Sequence, residues 1–195
     1  QVTADMAQIS RKEAKTIGLG LMYGMGIGKL ADSLDISPDQ AKALKKKYND
    51  NVQFLNNIIV RATRYTEQNG YINTLLGRRC RFDLWENKDF HDKRMMSHEN
   101  AKKTWQWNEM KRAGTYRALN RLIQGSAADQ TKQAMVNLWK DVGVIPMIQI
   151  HDELNVSVAN ETQVKEIKEI MESAVELHVP VKCDAEIGDN WGEIK

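Results

Sequence analysis

The sequence predicts an α+β protein in which helices come first and a sheet with packed helices follows. Apolar residues recur with helical spacing through most of residues 11–69, and a second helical pattern covers residues 111–142. Beyond it, two apolar runs, VIPMIQI and LNVSV, flank the polar triplet His151-Asp152-Glu153. That arrangement is typical of a β-hairpin with a charged tip.

The stretch SRKEAKTIGLGLMYGMGIGK predicts a helix that begins at Ser10 and continues to about Asp32. Ser10 followed three residues later by Glu13 is typical of a capping box. The same stretch contains several glycines, each of which costs about 1 kcal/mol relative to alanine inside a helix. A helix that tolerates them is expected to need close approach of another element, or movement.

A stripe of four residues runs along this predicted helix. Arg11, Lys15, Leu19 and Tyr23 recur at intervals of four, which brings them to one side. Cations suit a polyphosphate, and an aromatic ring suits a nucleobase. The alternative is an ordinary amphipathic helix whose Arg and Lys face water.

The glycines do not fit the common nucleotide-binding loops. A phosphate-binding loop ending at Lys29 needs Gly at position 23 and Ser or Thr at position 30, and these positions hold Tyr23 and Leu30. No strand precedes the glycines, which excludes a dinucleotide fingerprint.

The following elements are predicted in order. Residues 1–8 form a short helical lead-in, and residues 39–69 form a helix with Pro38 at its start and a kink at Asn51. The segment NGYINTLLGRRCRF then predicts a strand, a turn and a returning strand, because turn-forming Asn-Gly and Gly77 bracket β-branched and aromatic residues.

The elements of the second half of the chain are predicted from patterns of unequal strength. Residues 85–107 are polar and irregular, and we expect them to be partly helical. Residues 111–142 form a long helix that Gly143 ends. A helix over 161–178 and a final strand over 180–187 follow the hairpin.

Composition sets broad limits on function. The 195 residues suffice for one sizeable core, and the net charge of +2 does not by itself indicate nucleic acid. Cys80 and Cys183 form no CxxC pair, so a disulfide framework or zinc site is not predicted and a reducing compartment fits. No membrane-spanning run and no signal peptide is visible in the sequence.

Two further groups of residues carry chemistry of their own. Two adjacent carboxylates at the hairpin repel each other, and a divalent ion such as Mg²⁺ offsets that repulsion. The alternative is a solvent-exposed polar tip.

Asn120 and Gln124 lie one helical turn apart, and their amide donors suit the acceptors of the DNA minor groove. The alternative there is a tight helix crossing.

Five segments resemble family A (bacterial polymerase I-like) DNA polymerases, and their order along the chain agrees with that family over essentially the whole chain. RKEAKTIGLGLMYGMG matches motif B, RxxxKxxxxxxxYG, through Arg11, Lys15, Tyr23 and Gly24. IQIHDELNVSV resembles motif C. The remaining segments are GYINTLLGRR between fingers and palm, IQGSAAD, and the tail VPVKCDAEIGDNW of the last palm strand.

The resemblance implies a right-hand polymerase, with a helical fingers subdomain and part of an antiparallel-sheet palm. It divides the chain into fingers helices at 1–69, a connecting strand-turn and insertion at 70–115, and the C-terminal palm at 116–195. Incoming nucleotide and primer-template DNA are the implied partners. Two Mg²⁺ ions are the implied cofactors, with one ligand aspartate outside this sequence, and the cytoplasm of a bacterium or phage-infected host is the implied location.

The resemblance also implies a role for each matching residue. The nucleotide set is Arg11 and Lys15 on the triphosphate, Leu19 at the sugar and Tyr23 at the base, with Lys15 also offsetting charge during catalysis. The DNA set is Asn120, Gln124, His151, Arg78 and Arg79. The metal set is Asp152 as ligand, with Glu153 supporting that site and sharing the catalytic role.

The sequence departs from the family pattern in four respects. Leu19 stands where the family usually has Phe or Tyr, and Gly18 replaces the usual Asn. The region 85–107 resembles a local insertion. Motif A, with its aspartate, does not occur in this sequence. We therefore expect the chain to be a fragment, or one subunit of a split polymerase, that cannot polymerise alone. A non-catalytic nucleic-acid-binding module is the alternative.

Overall fold

The computed structural model describes residues 4–5, 9–23, 25–89 and 91–193. Its α+β architecture, helices with small antiparallel sheets, confirms the predicted fold class. The chain forms two units, Gln1–Ile123 and Gln124–Lys195. The division of the chain into fingers, insertion and palm remains a prediction.

Four helices open the first unit. They are α1 (Arg11–Met22), α2 (Ile27–Leu34), α3 (Pro38–Asn51) and α4 (Gln53–Asn69). The predicted capping box at the start of α1 is present: the Ser10 backbone N–H donates to Glu13 Oε2 at 2.8 Å, and the Glu13 backbone N–H donates to Ser10 Oγ at 3.2 Å. Pro38 occupies the first position of α3, as predicted.

The prediction of one helix from Ser10 to about Asp32 was wrong, because the segment is two helices. The Met25 N–H donates to the Gly20 carbonyl at 2.7 Å, five residues back, and Gly26 is extended (φ −77°, ψ 167°) as the N-cap of α2. The glycines thus permit a break that the four-residue spacing did not reveal. Gly24, a motif residue in the sequence, lies outside the described residues, as does most of the predicted lead-in 1–8.

The first core forms where these helices pack together. Ile17 of α1, Leu30 of α2 and Tyr48 of α3 are almost completely buried. The predicted kink at Asn51 is the end of α3, and buried Val52 separates it from α4. Burial of these side chains is the main contribution holding short helices that would be marginal in isolation.

Two small sheets follow α4. Strands β1 (Tyr71–Asn73) and β2 (Arg79–Arg81) form the predicted antiparallel hairpin. Strands β3 (Leu84–Asn87), β4 (Met95–Ser97) and β5 (Met110–Arg112) form a three-stranded antiparallel sheet in the order β4-β3-β5. Helix α5 (His98–Thr104) and a 3₁₀ turn, Trp107–Glu109, connect β4 to β5.

This sheet corrects two predictions. The region 85–107 was expected to be irregular and partly helical. Helix α5 lies within it, as predicted, but residues 85–87 belong to β3 and Met95–Ser97 form β4, so the region is not irregular. The long helix was expected from Lys111, but Lys111 pairs with Glu86 in the sheet and α6 runs over Ala118–Val142. In both cases the strands pair with residues distant in sequence, which local periodicity does not report.

The second unit contains most of α6, then a hairpin and helix α7 (Glu161–Ser173). Strands β6 (Ile148–Ile150) and β7 (Glu153–Asn155) form the hairpin, as predicted. Gly143, with φ 67°, follows the last residue of α6, also as predicted. Leu138, Val144 and Ile167 form the centre of this unit's core.

Two predictions for the end of the chain were wrong. Helix α7 ends at Ser173 rather than near His178, and residues 180–187 form no strand. The Cys183 N–H instead donates to Glu172 Oε1 at 2.9 Å, so this segment is held by a side chain rather than by a sheet ladder. Among the residues described, no helix combines the length and apolar character needed to cross a bilayer.

Candidate nucleotide and metal sites

The four stripe residues of the sequence lie on the solvent-exposed side of α1 and its C-terminal turn. Arg11 and Lys15 are exposed, and Leu19 and Tyr23 retain 43% and 53% of their exposure. Leu19 on α1 and Tyr23 in the turn that follows it are thus large side chains that solvent reaches.

The opposite side of α1 fixes this orientation. Ala14 and Ile17 are buried at 4% and 1% exposure in the first core. Gly18 lies against α3, since a Cβ there would be 3.1 Å from the Tyr48 hydroxyl oxygen. This close approach favours a small residue at position 18.

The capping box at the start of α1 stabilises the charged form of Glu13. Hydrogen bonding to Ser10 lowers the pKa of the Glu13 carboxyl; the side chain of Ser10 has the larger effect and its backbone the smaller one. A charged Glu13 in the first turn is favourable at the helix N-terminus. The capping box therefore fixes the backbone next to Arg11.

The polar triplet occupies the turn of the β6–β7 hairpin. Ile150 pairs with Glu153, which leaves His151 and Asp152 as a two-residue loop. His151 has a left-handed backbone (φ 54°), which costs a non-glycine residue about 1–2 kcal/mol. Its carbonyl accepts a hydrogen bond from Gln149 Nε2 at 3.1 Å. His151, Asp152 and Glu153 are all exposed.

The carboxylates at this hairpin tip are the type of ligand that Mg²⁺ prefers, but they are too few to hold the ion alone. Asp152 and Glu153 offer hard carboxylate oxygens, and Mg²⁺ is commonly held by one or two carboxylates together with waters and substrate phosphates. Across the described parts of the chain, no three His, Cys, Asp or Glu side chains group as a metal site. The tip therefore fits a metal shared with a substrate and a further ligand.

The proposed DNA-contacting residues are distributed over both units. Asn120 is half-buried on α6 in the first unit, and Gln124 is exposed on α6 in the second. Arg79 is exposed on β2, with its guanidinium carbon 4.0 Å from the centroid of the Tyr71 ring. The backbone of Arg78 closes the turn before β2, since its N–H donates to Thr74 Oγ1 at 3.0 Å.

The predicted residues thus form two arrangements, one in each unit. The nucleotide set shares one exposed side of α1, and the metal set shares one hairpin tip. A third group was not predicted from the sequence: an aromatic cluster of Trp85, His98 and Trp107 at the three-stranded sheet. The segment WQW in the sequence could have indicated this cluster. In the structure, its first tryptophan is 8% exposed and its second is 67% exposed.

Comparison with known proteins gives one consistent family. The family model for DNA polymerase family A matches residues 1–193. The chain is 34% identical to a DNA-directed DNA polymerase of Pseudomonas phage M6, over 98% of this chain and 31% of that protein. It is 32% identical to DNA polymerase I of Borreliella burgdorferi, over 94% of this chain and 19% of that protein.

A solved structure agrees. The POL domain of Pol1 from M. smegmatis, in complex with DNA primer-template and dNTP, aligns with a TM-score of 0.68 at 27% identity, covering 93% of this chain and 32% of that chain. The chain spans about a third or less of the length of these proteins. Since the family match covers nearly every residue, and the motif B and motif C segments lie within it in order, the chain belongs to DNA polymerase family A.

Proposed function

We propose that this chain supplies the fingers and the C-terminal part of the palm for DNA-templated DNA synthesis. The reaction joins a dNTP to a primer 3′-hydroxyl and releases pyrophosphate. The observation that carries the proposal is the exposed stripe of α1, where two cations precede an exposed aliphatic and an exposed aromatic side chain. The primer-template DNA and dNTP bound by the M. smegmatis structure are the proposed partners of this chain.

The α1 stripe binds the incoming nucleotide in this proposal. Arg11 and Lys15 contact the triphosphate, Leu19 lies against the sugar, and Tyr23 stacks near the base. Lys15 also offsets the charge that develops on the phosphate oxygens as the bond to the leaving pyrophosphate breaks. Burial of Ala14 and Ile17 fixes the backbone of α1, so the stripe residues start from fixed positions on one side of the helix.

The hairpin tip holds the metal side of the reaction. Asp152 is the ligand, and Glu153 adds negative charge that keeps the site attractive to a divalent cation. A Mg²⁺ ion held by Asp152 would supply activation of the primer hydroxyl and charge stabilisation at the transferred phosphoryl group. His151, in the turn of the same hairpin, lies beside the primer end.

The remaining assigned residues contact DNA. Asn120 and Gln124 donate to minor-groove acceptors, which every base pair presents, so they test pair shape rather than sequence. Arg78 and Arg79, next to each other on the β1–β2 hairpin, bind the phosphate backbone.

A further segment completes the metal site. Asp152 is the aspartate ligand of this chain, and two-metal transfer needs a second aspartate of the motif A kind. We propose that it comes from upstream sequence in the same polypeptide or from a second polypeptide. In support, Ile145 and Met147 just before β6 retain 69% and 76% exposure, a large apolar area for a surface.

Primer extension tests the proposal. The chain is assayed alone and together with a polypeptide that supplies motif A and the thumb. We expect nucleotide incorporation only with that polypeptide, and its loss in Lys15→Ala and Asp152→Ala. Removal of a transition-state contact of this kind lowers kcat by about 10²- to 10³-fold.

Matched variants separate these roles from general charge effects. Lys12→Ala removes an exposed cation of α1 outside the stripe, and Glu166→Gln removes an exposed carboxylate of α7; both are expected to extend primers like the wild type. Full activity of Asp152→Ala would overturn the metal assignment. DNA binding without incorporation in the completed mixture would favour the non-catalytic module.

A further inference from the structure

The three-stranded sheet carries an aromatic cluster with no role in the proposed reaction. Trp85 of β3 stacks on His98 of α5, with ring centroids 4.7 Å apart and planes at 27°. Trp107 extends the cluster, at 5.7 Å from Trp85 and 6.1 Å from His98. The His98 Nε2 is buried and has no hydrogen-bond partner among the described residues, so this imidazole serves mainly as a stacking surface.

Trp105 shows what a structural tryptophan looks like in the same segment. It is 8% exposed, packs in the small core of the sheet, and donates from Nε1 to Asp92 Oδ2 at 3.1 Å. Trp107, two residues later, is 67% exposed. Because burial of an indole is strongly favourable, an indole left in water at the edge of an aromatic stack is available for a partner.

Two cations, Arg112 and Lys88, lie next to the cluster. The Arg112 guanidinium lies 5.0 Å from the Trp85 centroid and donates to two backbone carbonyls, those of Glu67 and Phe82. The Lys88 ammonium donates to the Asn108 carbonyl at 2.7 Å, beside Trp107. Neither cation is paired with a carboxylate within the described ranges.

We propose that this cluster, Trp85, His98 and Trp107 with Lys88 and Arg112, binds single-stranded DNA by stacking an unpaired base on Trp107. An aromatic face beside cations accepts a base and its phosphate together, without sequence preference. Bases in a duplex are already stacked on their neighbours, so the surface selects the unpaired strand. The choice of DNA rests on the proposed function.

The test measures binding of a fluorescein-labelled oligothymidine by anisotropy, without nucleotide or magnesium. An abasic oligonucleotide of equal length keeps the phosphates and removes the bases. We expect tighter binding of oligothymidine than of the abasic strand, and a loss of roughly 5- to 150-fold in oligothymidine affinity in Trp107→Ala, the range for one stacked base. Binding of the abasic strand is expected to stay unchanged.

Three further variants isolate the aromatic face. Trp107→Phe retains most of the affinity, whereas Trp107→Leu, which keeps apolar bulk without a π-face, loses as much as Trp107→Ala. Trp191→Ala removes a tryptophan of similar exposure (55%) elsewhere and binds like the wild type. Circular dichroism checks that each variant remains folded.

The proposal is overturned if Trp107→Leu or Trp107→Ala binds oligothymidine like the wild type, if Trp191→Ala loses as much, or if the abasic strand binds equally well. No binding of oligothymidine by the wild type also overturns it, and would leave a protein partner for this surface. Because the assay contains no dNTP or metal, its outcome is independent of primer extension, which tests the proposed function separately.

Discussion

Gly70 is a position in the first unit where one added methyl group is expected to be costly. It ends α4 in a left-handed conformation (φ 78°, ψ 6°). A Cβ placed there would be 2.7 Å from the Cζ and 2.8 Å from the Nη1 of Arg112. The change Gly70→Ala therefore combines backbone strain with displacement of a guanidinium.

The magnitude follows from both contributions. A left-handed backbone costs a residue with a Cβ about 1–2 kcal/mol. Arg112 donates at 3.2 Å to the carbonyls of both Glu67 and Phe82. Charge-assisted hydrogen bonds contribute about 1.5–3 kcal/mol each when buried; for this half-buried side chain we expect about 1–2 kcal/mol lost for the pair. Gly70→Ala should thus lower the free energy of unfolding by about 2–4 kcal/mol.

Gly77 provides the matched control. It is also left-handed (φ 86°), but a Cβ there would meet no atom within 4 Å. Gly77→Ala should cost only the backbone contribution of about 1–2 kcal/mol. The gain from a less flexible unfolded chain is common to both variants and cancels in their difference.

The assay is urea unfolding followed by tryptophan fluorescence, to which Trp85, Trp105 and Trp107 contribute from the first unit and Trp139 and Trp191 from the second. A double-mutant cycle with Arg112→Ala completes the measurement, because Gly70→Ala should then cost no more than Gly77→Ala. Equal costs for Gly70→Ala and Gly77→Ala in the wild-type background would refute the reasoning, as would an unchanged cost of Gly70→Ala once Arg112 is removed.

Two further predictions concern the second core and the pH dependence of the sheet. Leu138→Ala, at a side chain with 0% exposure, should lower the free energy of unfolding by about 2–5 kcal/mol in thermal or urea unfolding, whereas Leu177→Ala, 41% exposed, should change it by less than about 0.5 kcal/mol; similar costs would contradict the core assignment. Hydrogen bonds from the Arg94 side chain hold the pKa of Asp92 well below its usual value of 3.8, so its stabilising contribution is present above about pH 3.8 and is lost as the pH falls through the folded-state pKa. Asp92→Asn should therefore make the stability depend less on pH in the acid range, as measured by near-ultraviolet circular dichroism during acid unfolding. An acid-unfolding curve that superimposes on that of the wild type would contradict this.

Features that depend on neighbouring residues could be predicted from the sequence. The capping box of Ser10 and Glu13, Pro38 at a helix start, and Gly143 after a helix end each involve residues within one turn of each other. The hairpin around His151 and Asp152 was equally visible, because two apolar runs and a short polar break determine its register. The exposed stripe of α1 followed from a four-residue spacing and from the buried side chains between its members.

Features that depend on distant residues could not be predicted. Trp85 pairs with Met96 and with Arg112, and only that pairing turns an irregular polar segment into a sheet. The break after Met22 depends on a contact between Gly20 and Met25 that helical spacing does not encode. Residues 180–187 have strand-forming composition but no ladder partner, so composition alone overestimated that strand.

By itself, the sequence determined the family, the α+β class, and which side chains are chemically suited to a nucleotide, to DNA and to a divalent cation. These depend on residue identity and on spacing along a single element. Only the tertiary structure decided where α1 ends, which strands pair, and that Trp105 is buried while Trp107 faces solvent. The physical reason is that burial and strand pairing depend on which residues the folded chain brings next to each other. Trp105 and Trp107 are the same residue type, two positions apart, and only their different packing makes one buried and the other exposed.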